Sequence, residues 1–251
     1  MTKLAHKIFG QGPDLVLLHG WGMHSGIWQP VLDKLAANFR VMLIDLPGHG
    51  KSAGLPLQSF EKLVDEIIEI APESANWAGW SLGGQFATSA ATRFPDRVEK
   101  LMLVASNPCF EQRDDWPYAM QPEQLQKFAN GLASDWNKTI QRFIALQFLG
   151  SAVSKLQLRQ LQSEMTALPP DITALHTGLE LLRSLDLREE LVRVQQPVQA
   201  VLGKQDRLVP LEIKNFFSAA GIETRIIENA GHAPFVSCPD EFAELAKRFF
   251  S

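Results

Sequence analysis

One serine in this chain stands in a sequence context that could make it a nucleophile. Ser81 has a glycine two residues before it, Gly79, and another two residues after it, Gly83. This G-x-S-x-G pattern predicts a very tight turn between a strand and a helix, which strains the serine backbone and exposes its hydroxyl at a sheet edge. The pattern alone is only moderately specific, because a glycine-rich turn can also surround an ordinary serine.

A serine hydroxyl needs a base to take its proton and a carboxylate to orient that base. Of the six histidines, His232 is the candidate base because it lies in a turn-rich loop after the last predicted strand. Asp206, in the loop after the preceding strand, is the candidate acid. A solvated histidine and a turn-forming aspartate are the ordinary alternatives. The order Ser81, Asp206, His232 on successive strand ends nevertheless favours a catalytic triad.

The oxyanion formed during acyl transfer needs two N–H donors. We expect one from the backbone of Leu82, directly after the nucleophile. The other is expected from the backbone of Trp21, in the H-G-W-G loop at residues 19–22. His19 comes too early in the chain to be the base, and bracing this loop is its expected role.

Composition and charge exclude several function classes. The chain has 251 residues, is 45% hydrophobic and carries a formal net charge of −4, so it has a substantial core and no overall basic character for nucleic acid. No apolar run reaches membrane-spanning length and no signal peptide is apparent. Cys109 and Cys238 lack metal-like spacing. We therefore expect a cytoplasmic monomer with reduced thiols, no metal and no organic cofactor.

Short apolar runs alternate with helical patterns along most of the chain, which is typical of an α/β fold. Strands are predicted at 15–18, 41–44, 77–79, 101–104, 198–202 and 224–227. Helices are predicted at 27–37, 60–70, 82–93 and 239–249. This order predicts a mainly parallel central sheet with helices on both faces.

The alternation stops between residues 111 and 184, where helix-length patterns occur at 121–131, 136–149, 152–167 and 172–182. A connection of this length is far too long for an ordinary loop. We interpret residues 111–184 as an inserted helical lid over the carboxyl edge of the sheet. The core then comprises residues 1–110 and 185–251.

These motifs together resemble the α/β-hydrolase superfamily across nearly the whole chain. They are the H-G-W-G loop at 19–22, a D-x-P-G-x-G-x-S turn at 45–52, the serine turn at 79–83, and the acid and histidine loops. The resemblance implies an α/β-hydrolase fold and a serine hydrolase, and it fixes the nucleophile class better than the substrate.

Less generic stretches resemble the biotin-pathway esterases, which cleave pimeloyl-acyl-carrier-protein methyl ester. They are G-W-S-L-G-G at 79–84, A-S-N-P-C-F at 105–110, R-F-I-A-L-Q at 142–147, L-D-L-R at 185–188 and H-A-P-F at 232–235. The resemblance implies a carboxylesterase of biotin biosynthesis. It would hydrolyse the methyl ester at the far end of the pimeloyl chain, release methanol and leave the carrier thioester intact.

The predicted lid also favours an acidic partner such as an acyl-carrier protein. No acid lies between Asp135 and Glu164, whereas four cations occur there in two pairs at i, i+4 spacing: Lys138, Arg142, Lys155 and Arg159. A solvated helix face is the alternative. Lys138 and Lys155 stand where relatives usually have arginine; lysine keeps the charge but lacks the bidentate fork.

Five apolar residues are candidates to line the acyl channel: Trp21, Trp80, Leu82, Phe110 and Phe143. For Phe143, packing inside the lid is an equally good interpretation. Three other functions stay open at this point. They are a generic short-chain carboxylesterase, a carbon–carbon bond hydrolase or lyase of the same fold, and a hydrolase-like receptor that binds a ligand without turnover.

Overall fold

A computed structural model describes residues 3–55 and 58–251. Within these residues, seven strands form one sheet in the order β1-β3-β2-β4-β5-β6-β7. The strands are β1 (His6–Phe9), β2 (Asp14–Leu18), β3 (Arg40–Ile44), β4 (Ala75–Trp80), β5 (Val98–Val104), β6 (Val198–Gly203) and β7 (Glu223–Ile227). Only β1 pairs antiparallel, with β3. The mainly parallel sheet expected from the sequence is therefore confirmed.

Helices connect the strands and cover both faces of the sheet. They are α1 (Gln29–Ala36), α2 (Phe60–Ile70), α3 (Leu82–Arg93), α4 (Pro122–Gln147), α5 (Lys155–Ala167), α6 (Ile172–Ser184), α7 (Arg188–Arg193), α8 (Lys214–Ala219), α9 (Pro234–Ser237) and α10 (Pro239–Phe250). All six residues of β4 are buried. Successive side chains of a strand point to opposite faces, so this burial requires cover on both sides. In the described residues, no helix is both long enough and apolar enough to cross a bilayer.

Apolar spacing explains why the core helices form where they do. In α2, Phe60, Leu63, Val64 and Ile67 are buried at i, i+3, i+4 and i+7, so one face of the helix packs inward. The Ser59 hydroxyl accepts a hydrogen bond from the backbone N–H of Lys62 and caps the first turn. Each buried side chain of this size contributes roughly 2 kcal/mol to folding.

The segment between β5 and β6 carries α4 to α7. In its described residues it adds only isolated bridges, not a strand of the sheet. Helix α4 breaks at Asp135, which is extended at φ −158° and ψ 89°. The Asp135 carboxylate accepts the backbone N–H of Lys138 at 3.0 Å and so caps the second half. The break accounts for the two separate helices that the sequence predicts here.

Three hydrogen bonds fix the segment to the core at the N-terminal end of α6. The backbone N–H of Asp171 donates to the carbonyl of Gly48 at 2.8 Å, and its carboxylate accepts the N–H of Gly54 at 2.7 Å. The Trp21 indole donates to the carbonyl of Leu175 at 2.8 Å. The boundaries drawn at residues 111 and 184 stay an interpretation, and α7 begins shortly after the second boundary.

Candidate active site

Ser81 lies at the turn between β4 and α3, in a conformation that few non-glycine residues adopt. Its φ is 55° and its ψ is −122°. A Cβ on Gly79 would lie 2.3 Å from the carbonyl oxygen of Gly83, and one on Gly83 would lie 2.6 Å from the carbonyl oxygen of His19. Both positions of the motif therefore require glycine. The backbone segments around Ser81 approach each other so closely that the serine is held in its strained geometry.

Strand β5 holds the Ser81 backbone from behind. The N–H of Ser81 donates to the carbonyl of Val104 at 2.9 Å. Its carbonyl accepts hydrogen bonds from the N–H of Gly84 at 2.9 Å and from the Ser106 hydroxyl at 2.7 Å. Ala105, at φ 43°, turns the chain so that Ser106 reaches this position. These contacts offset the local strain with three hydrogen bonds.

His232 and Asp206 form a buried pair. Nδ1 of His232 lies 2.8 Å from Oδ2 of Asp206, and both side chains are 1% exposed. Oδ1 of Asp206 accepts the backbone N–H groups of Leu208 at 2.7 Å and Val209 at 3.1 Å. Because a carboxylate only accepts hydrogen bonds, the proton is assigned to Nδ1, which leaves the lone pair on Nε2.

The backbone of the histidine loop is fixed independently of the carboxylate. The His232 carbonyl accepts the Trp80 indole N–H at 2.7 Å, and the His232 N–H donates to the carbonyl of Gln147 at 2.8 Å. Nε2 of His232 is buried without a hydrogen-bond partner among the described residues, and it shares a cavity with Ser81. The structure thus brings the three residues of the predicted triad to one site.

The two expected oxyanion donors flank Ser81. A Cβ on Gly20 would lie 3.0 Å from the Cβ of Ser81, so the loop at residues 19–22 runs directly beside the nucleophile. Leu82 is the first residue of α3, where a backbone N–H has no partner within its own helix. Neither its N–H nor that of Trp21 donates to a group in the described chain. Both donors are available to a developing negative charge.

His19 braces this loop as a neutral side chain. Its Nδ1 donates to the carbonyl of Gly20 at 2.8 Å, and its Nε2 accepts the N–H of Leu46 at 2.9 Å. Burial, followed by the neighbouring His49, lowers the pKa of His19 to about 3. The ring therefore stays neutral around pH 7 and keeps both hydrogen bonds.

The cavity at Ser81 and His232 has almost entirely apolar walls. Three of the predicted channel residues line it: Trp21, Phe110 and Phe143. The Trp21 and Phe143 rings meet edge to face, with centroids 4.8 Å apart. The cavity holds about 10 Å³, close to the space for a single water, so an acyl chain fits only after the lining side chains, or the helices that carry them, move.

The other two predicted channel residues, Trp80 and Leu82, do not line this cavity. The Trp80 ring packs edge to face on Phe235, with centroids 5.3 Å apart, and supports the histidine loop from below. The Leu82 side chain extends towards Gly178 of α6. Proximity in sequence to the nucleophile does not set side-chain direction, and both side chains contribute to packing around the site instead.

Sequence reasoning missed six apolar residues that line the cavity. They are Met120, Leu125, Phe128, Leu179, Leu182 and Leu208. It also missed the position of Gln147, whose side-chain amide is buried without a partner among the described residues while its backbone carbonyl holds His232. The sequence gives no signal for this position, because only the structure shows that the amide in the R-F-I-A-L-Q stretch is buried and unpaired among the described residues.

The four predicted carrier-binding cations lie on two helices that contact each other. Lys138 and Arg142 belong to the second half of α4, and Lys155 and Arg159 to α5. The Gln162 amide donates to the carbonyl of Gln141 at 3.0 Å and joins the helices. All four cations are exposed, and none pairs with an acid in the described residues. Their positive charge is therefore not neutralised within this part of the protein.

Potential metal ligands are not gathered anywhere in the described residues: no group of three or more His, Cys, Asp or Glu side chains could hold an ion. The two cysteines are unpaired thiols, and burial raises the pKa of both.

Comparison with known proteins identifies the class to which this fold and site belong. The chain matches the alpha/beta hydrolase family over residues 15–245, and it belongs to that family. The fold expected from the motifs is therefore confirmed.

Within that family, curated relatives share the whole length of the chain. It is 42% identical over 248 residues to the pimeloyl-[acyl-carrier protein] methyl ester esterase of Klebsiella pneumoniae, covering 97% of this chain and 96% of the relative. It is 40% identical over 255 residues to the protein of the same name from Serratia marcescens, covering 100% and 99%. The narrower resemblance seen in the sequence is confirmed.

Solved structures share the fold at lower identity. An esterase from Exiguobacterium antarcticum superposes with a TM-score of 0.90 at 22% identity, covering 98% of this chain and 95% of that one. The enol-lactonase from Burkholderia xenovorans LB400 gives 0.83 at 20% identity, covering 98% and 95%. At these identities the likeness shows the fold alone.

Proposed function

We propose that this protein is a serine carboxylesterase that hydrolyses the methyl ester of pimeloyl-acyl-carrier protein, releasing methanol and leaving the thioester intact. The observation that carries the chemistry is the His232–Asp206 pair, whose free Nε2 faces the cavity that contains Ser81. The full-length similarity to the named esterases supports the substrate. A cytoplasmic location and a monomeric state stay predictions.

The reaction uses the groups in a fixed sequence. His232, oriented by Asp206, takes the proton of Ser81 as its oxygen attacks the ester carbonyl. The N–H groups of Trp21 and Leu82 donate hydrogen bonds to the oxyanion, and each stabilises the transition state by about 3 kcal/mol. Protonated His232 then gives its proton to methanol. Water, activated by the same histidine, releases the free carboxylate.

The cavity walls suit the acyl part of this substrate. A pimeloyl chain between its two carbonyls is a run of methylenes, and each one buried contributes about 0.8 kcal/mol. Aromatic rings of Trp21, Phe110 and Phe143 supply apolar surface for that chain. We propose that residues 111–184 act as the lid, since most of the other lining residues come from this segment.

The exposed cations on α4 and α5 suit an acidic carrier. Positive charge that is unpaired on the protein attracts an acidic partner over several ångströms and speeds its encounter. Exposed charges are screened by salt, so this attraction weakens as ionic strength rises.

The test compares substrates and identifies the broken bond. Ser81→Ala should abolish turnover of both methyl pimeloyl-carrier and p-nitrophenyl esters while the protein stays folded. Intact mass spectrometry of the carrier should show loss of one methylene, the exchange of methyl for hydrogen, with the arm still attached. Release of the whole acyl group, or near-normal activity of Ser81→Ala, would contradict the proposal.

Charge reversal tests the carrier part separately. Changing Lys138, Arg142, Lys155 and Arg159 to Glu should lower kcat/KM on the carrier-linked ester by at least about tenfold and spare p-nitrophenyl esters. The matched control reverses four exposed cations elsewhere: Lys7, Lys62, Lys214 and Arg248. Equal loss on both substrates would indicate a damaged lid, and no selective loss would leave a generic carboxylesterase.

A further inference from the structure

A surface groove adjoins the catalytic cavity and shares part of its wall. It has a volume of about 530 Å³ and is bounded by α4 and by the loop that carries Asp206. Met120 and Phe128 line both the groove and the cavity. These two side chains are therefore the partition between Ser81 and the outside on this side of the molecule, and moving them would join the two spaces.

The groove has an apolar floor that water contacts. Leu146 is half-buried, and Leu149 is 58% exposed. A single exposed leucine needs no explanation. Here, however, the exposed apolar surface is concave and continuous with the lining of an active site, which is the arrangement expected where an apolar chain passes.

Two cations stand at the rim of the groove, Lys127 on α4 and Arg207 on the acid loop. Both are exposed, and neither forms an ion pair with a described residue. Asp206 does not form an ion pair with its neighbour Arg207, because its oxygens are hydrogen-bonded to His232 and to backbone N–H groups. The rim thus offers two cationic groups to an anion.

The groove also leads towards the proposed carrier surface. Arg142 and Leu146 are four residues apart on the second half of α4, so they lie on one face of that helix. Lys138 extends the same row by one more turn. A substrate arm that leaves the groove over Leu146 would therefore emerge beside the cations that suit an acidic carrier.

We infer that this groove is the access route of the carrier arm, and that Lys127 and Arg207 bind the arm's phosphate. The inference rests on the proposed function. An acyl-carrier arm is a long chain with amide groups that ends in a phosphodiester. Arginine can grip a phosphate through two parallel hydrogen bonds, and lysine adds a point charge. The apolar floor accommodates the alkyl part nearest the cavity.

The test varies the phosphate of the arm in the absence of the carrier and adds the intact carrier as a reference. Wild-type protein is assayed with the methyl pimeloyl thioesters of pantetheine and of 4′-phosphopantetheine, with the carrier-linked ester, and with p-nitrophenyl acetate. We expect the phosphorylated arm to have the lower KM. The double variant Lys127→Gln, Arg207→Gln should raise that KM by about tenfold and leave the KM for the pantetheine thioester within about twofold. The control variant is Lys214→Gln, Arg248→Gln, which removes exposed cations from α8 and α10.

A second pair of variants tests the path without removing a cation. Leu149 is exposed, so Leu149→Glu and Leu149→Lys should both fold. Both variants lose the same leucine contact, so they should raise the KM for the unphosphorylated arm equally, whereas the KM for the phosphorylated arm should be higher in the glutamate variant than in the lysine variant. A difference between the two variants that is confined to the phosphorylated arm comes from charge in the groove, whereas a packing defect would affect both arms alike.

The outcomes separate this inference from the proposed function. No difference between the two arms in wild type, or equal loss on both arms in the double variant, overturns the phosphate assignment while the esterase stands. If the double variant loses activity only on the carrier-linked ester, Lys127 and Arg207 contact acidic side chains of the carrier and not the phosphate. That result also overturns the phosphate assignment. If wild type hydrolyses the methyl ester of the intact carrier but of neither free thioester, the arm alone does not bind and the phosphate assignment fails. If it does not hydrolyse the carrier-linked ester either, the proposed function itself fails.

Discussion

Replacing Asp206 by asparagine exchanges one carboxylate oxygen for an NH₂ group at almost constant size. In the structure the two oxygens have different partners: Oδ1 accepts the N–H groups of Leu208 and Val209, and Oδ2 accepts from Nδ1 of His232. The amide oxygen must keep the first position, because NH₂ there would face two donors and leave both buried N–H groups unpaired. That would cost roughly 1–3 kcal/mol for each group.

The NH₂ group is therefore directed at His232 as a donor, and it requires Nδ1 to carry no proton. The ring proton moves to Nε2, which can then no longer take the proton of Ser81. A base held in the wrong tautomer lowers kcat by about 10⁴-fold, or roughly 5 kcal/mol of transition-state free energy. The melting temperature should change little, since every other contact of the side chain is kept.

Steady-state hydrolysis of a p-nitrophenyl ester measures kcat, and ¹⁵N NMR of the histidine ring reports which nitrogen is protonated. Asp33→Asn, an exposed substitution on α1, is the matched control and should behave as wild type. A kcat of Asp206→Asn within tenfold of wild type, or a ring that keeps its proton on Nδ1, would refute this reasoning.

Three other predictions concern the support of the site. Gly83→Ala would place a Cβ 2.6 Å from the carbonyl oxygen of His19, so kcat should fall at least about 100-fold as the oxyanion loop shifts; wild-type kinetics would contradict this. Ser106→Ala removes one of two donors to the Ser81 carbonyl and should lower the free energy of unfolding by about 1 kcal/mol in urea titrations; an unchanged midpoint would show that the bond is not needed. Burial lowers the pKa of His49, as it does that of His19, so the unfolded chain binds protons below about pH 6.5 that the folded chain does not. The free energy of unfolding should then decrease as pH falls below 6.5, by up to about 1.4 kcal/mol per pH unit for each ring, and a flat profile from pH 7 to 5 would count against it.

The sequence carries most of the information about the sheet and about the positions of the proposed triad. Buried parallel strands are continuous apolar runs, and catalytic side chains follow where those runs end. Strand β1 escaped prediction because it is an edge strand with three exposed residues of four, so H-K-I-F shows no apolar run. Helices α7 and α8 are six residues long, which is too short for a clear helical period.

The walls of the cavity were harder to predict than its reactive groups. Phe128 and Leu179 lie on helices of the segment between β5 and β6, and which way a helix turns its apolar face depends on its packing partners. For Trp80 the prediction failed in the opposite way: the residue is next to Ser81 in sequence and was predicted to line the cavity, but its ring packs on Phe235. Reactive groups are fixed by the ends of strands, whereas a pocket is fixed by tertiary contacts that have no local signature.

The apolar walls also bear on how the protein lets its product go. Hydrolysis would turn an uncharged ester into an anion inside a space that offers it little polar surface, with the Asp206 carboxylate behind His232. A bare negative charge is poorly tolerated in such surroundings. The newly formed acid should therefore be expelled into solvent more readily than the ester, so that accumulated product inhibits weakly.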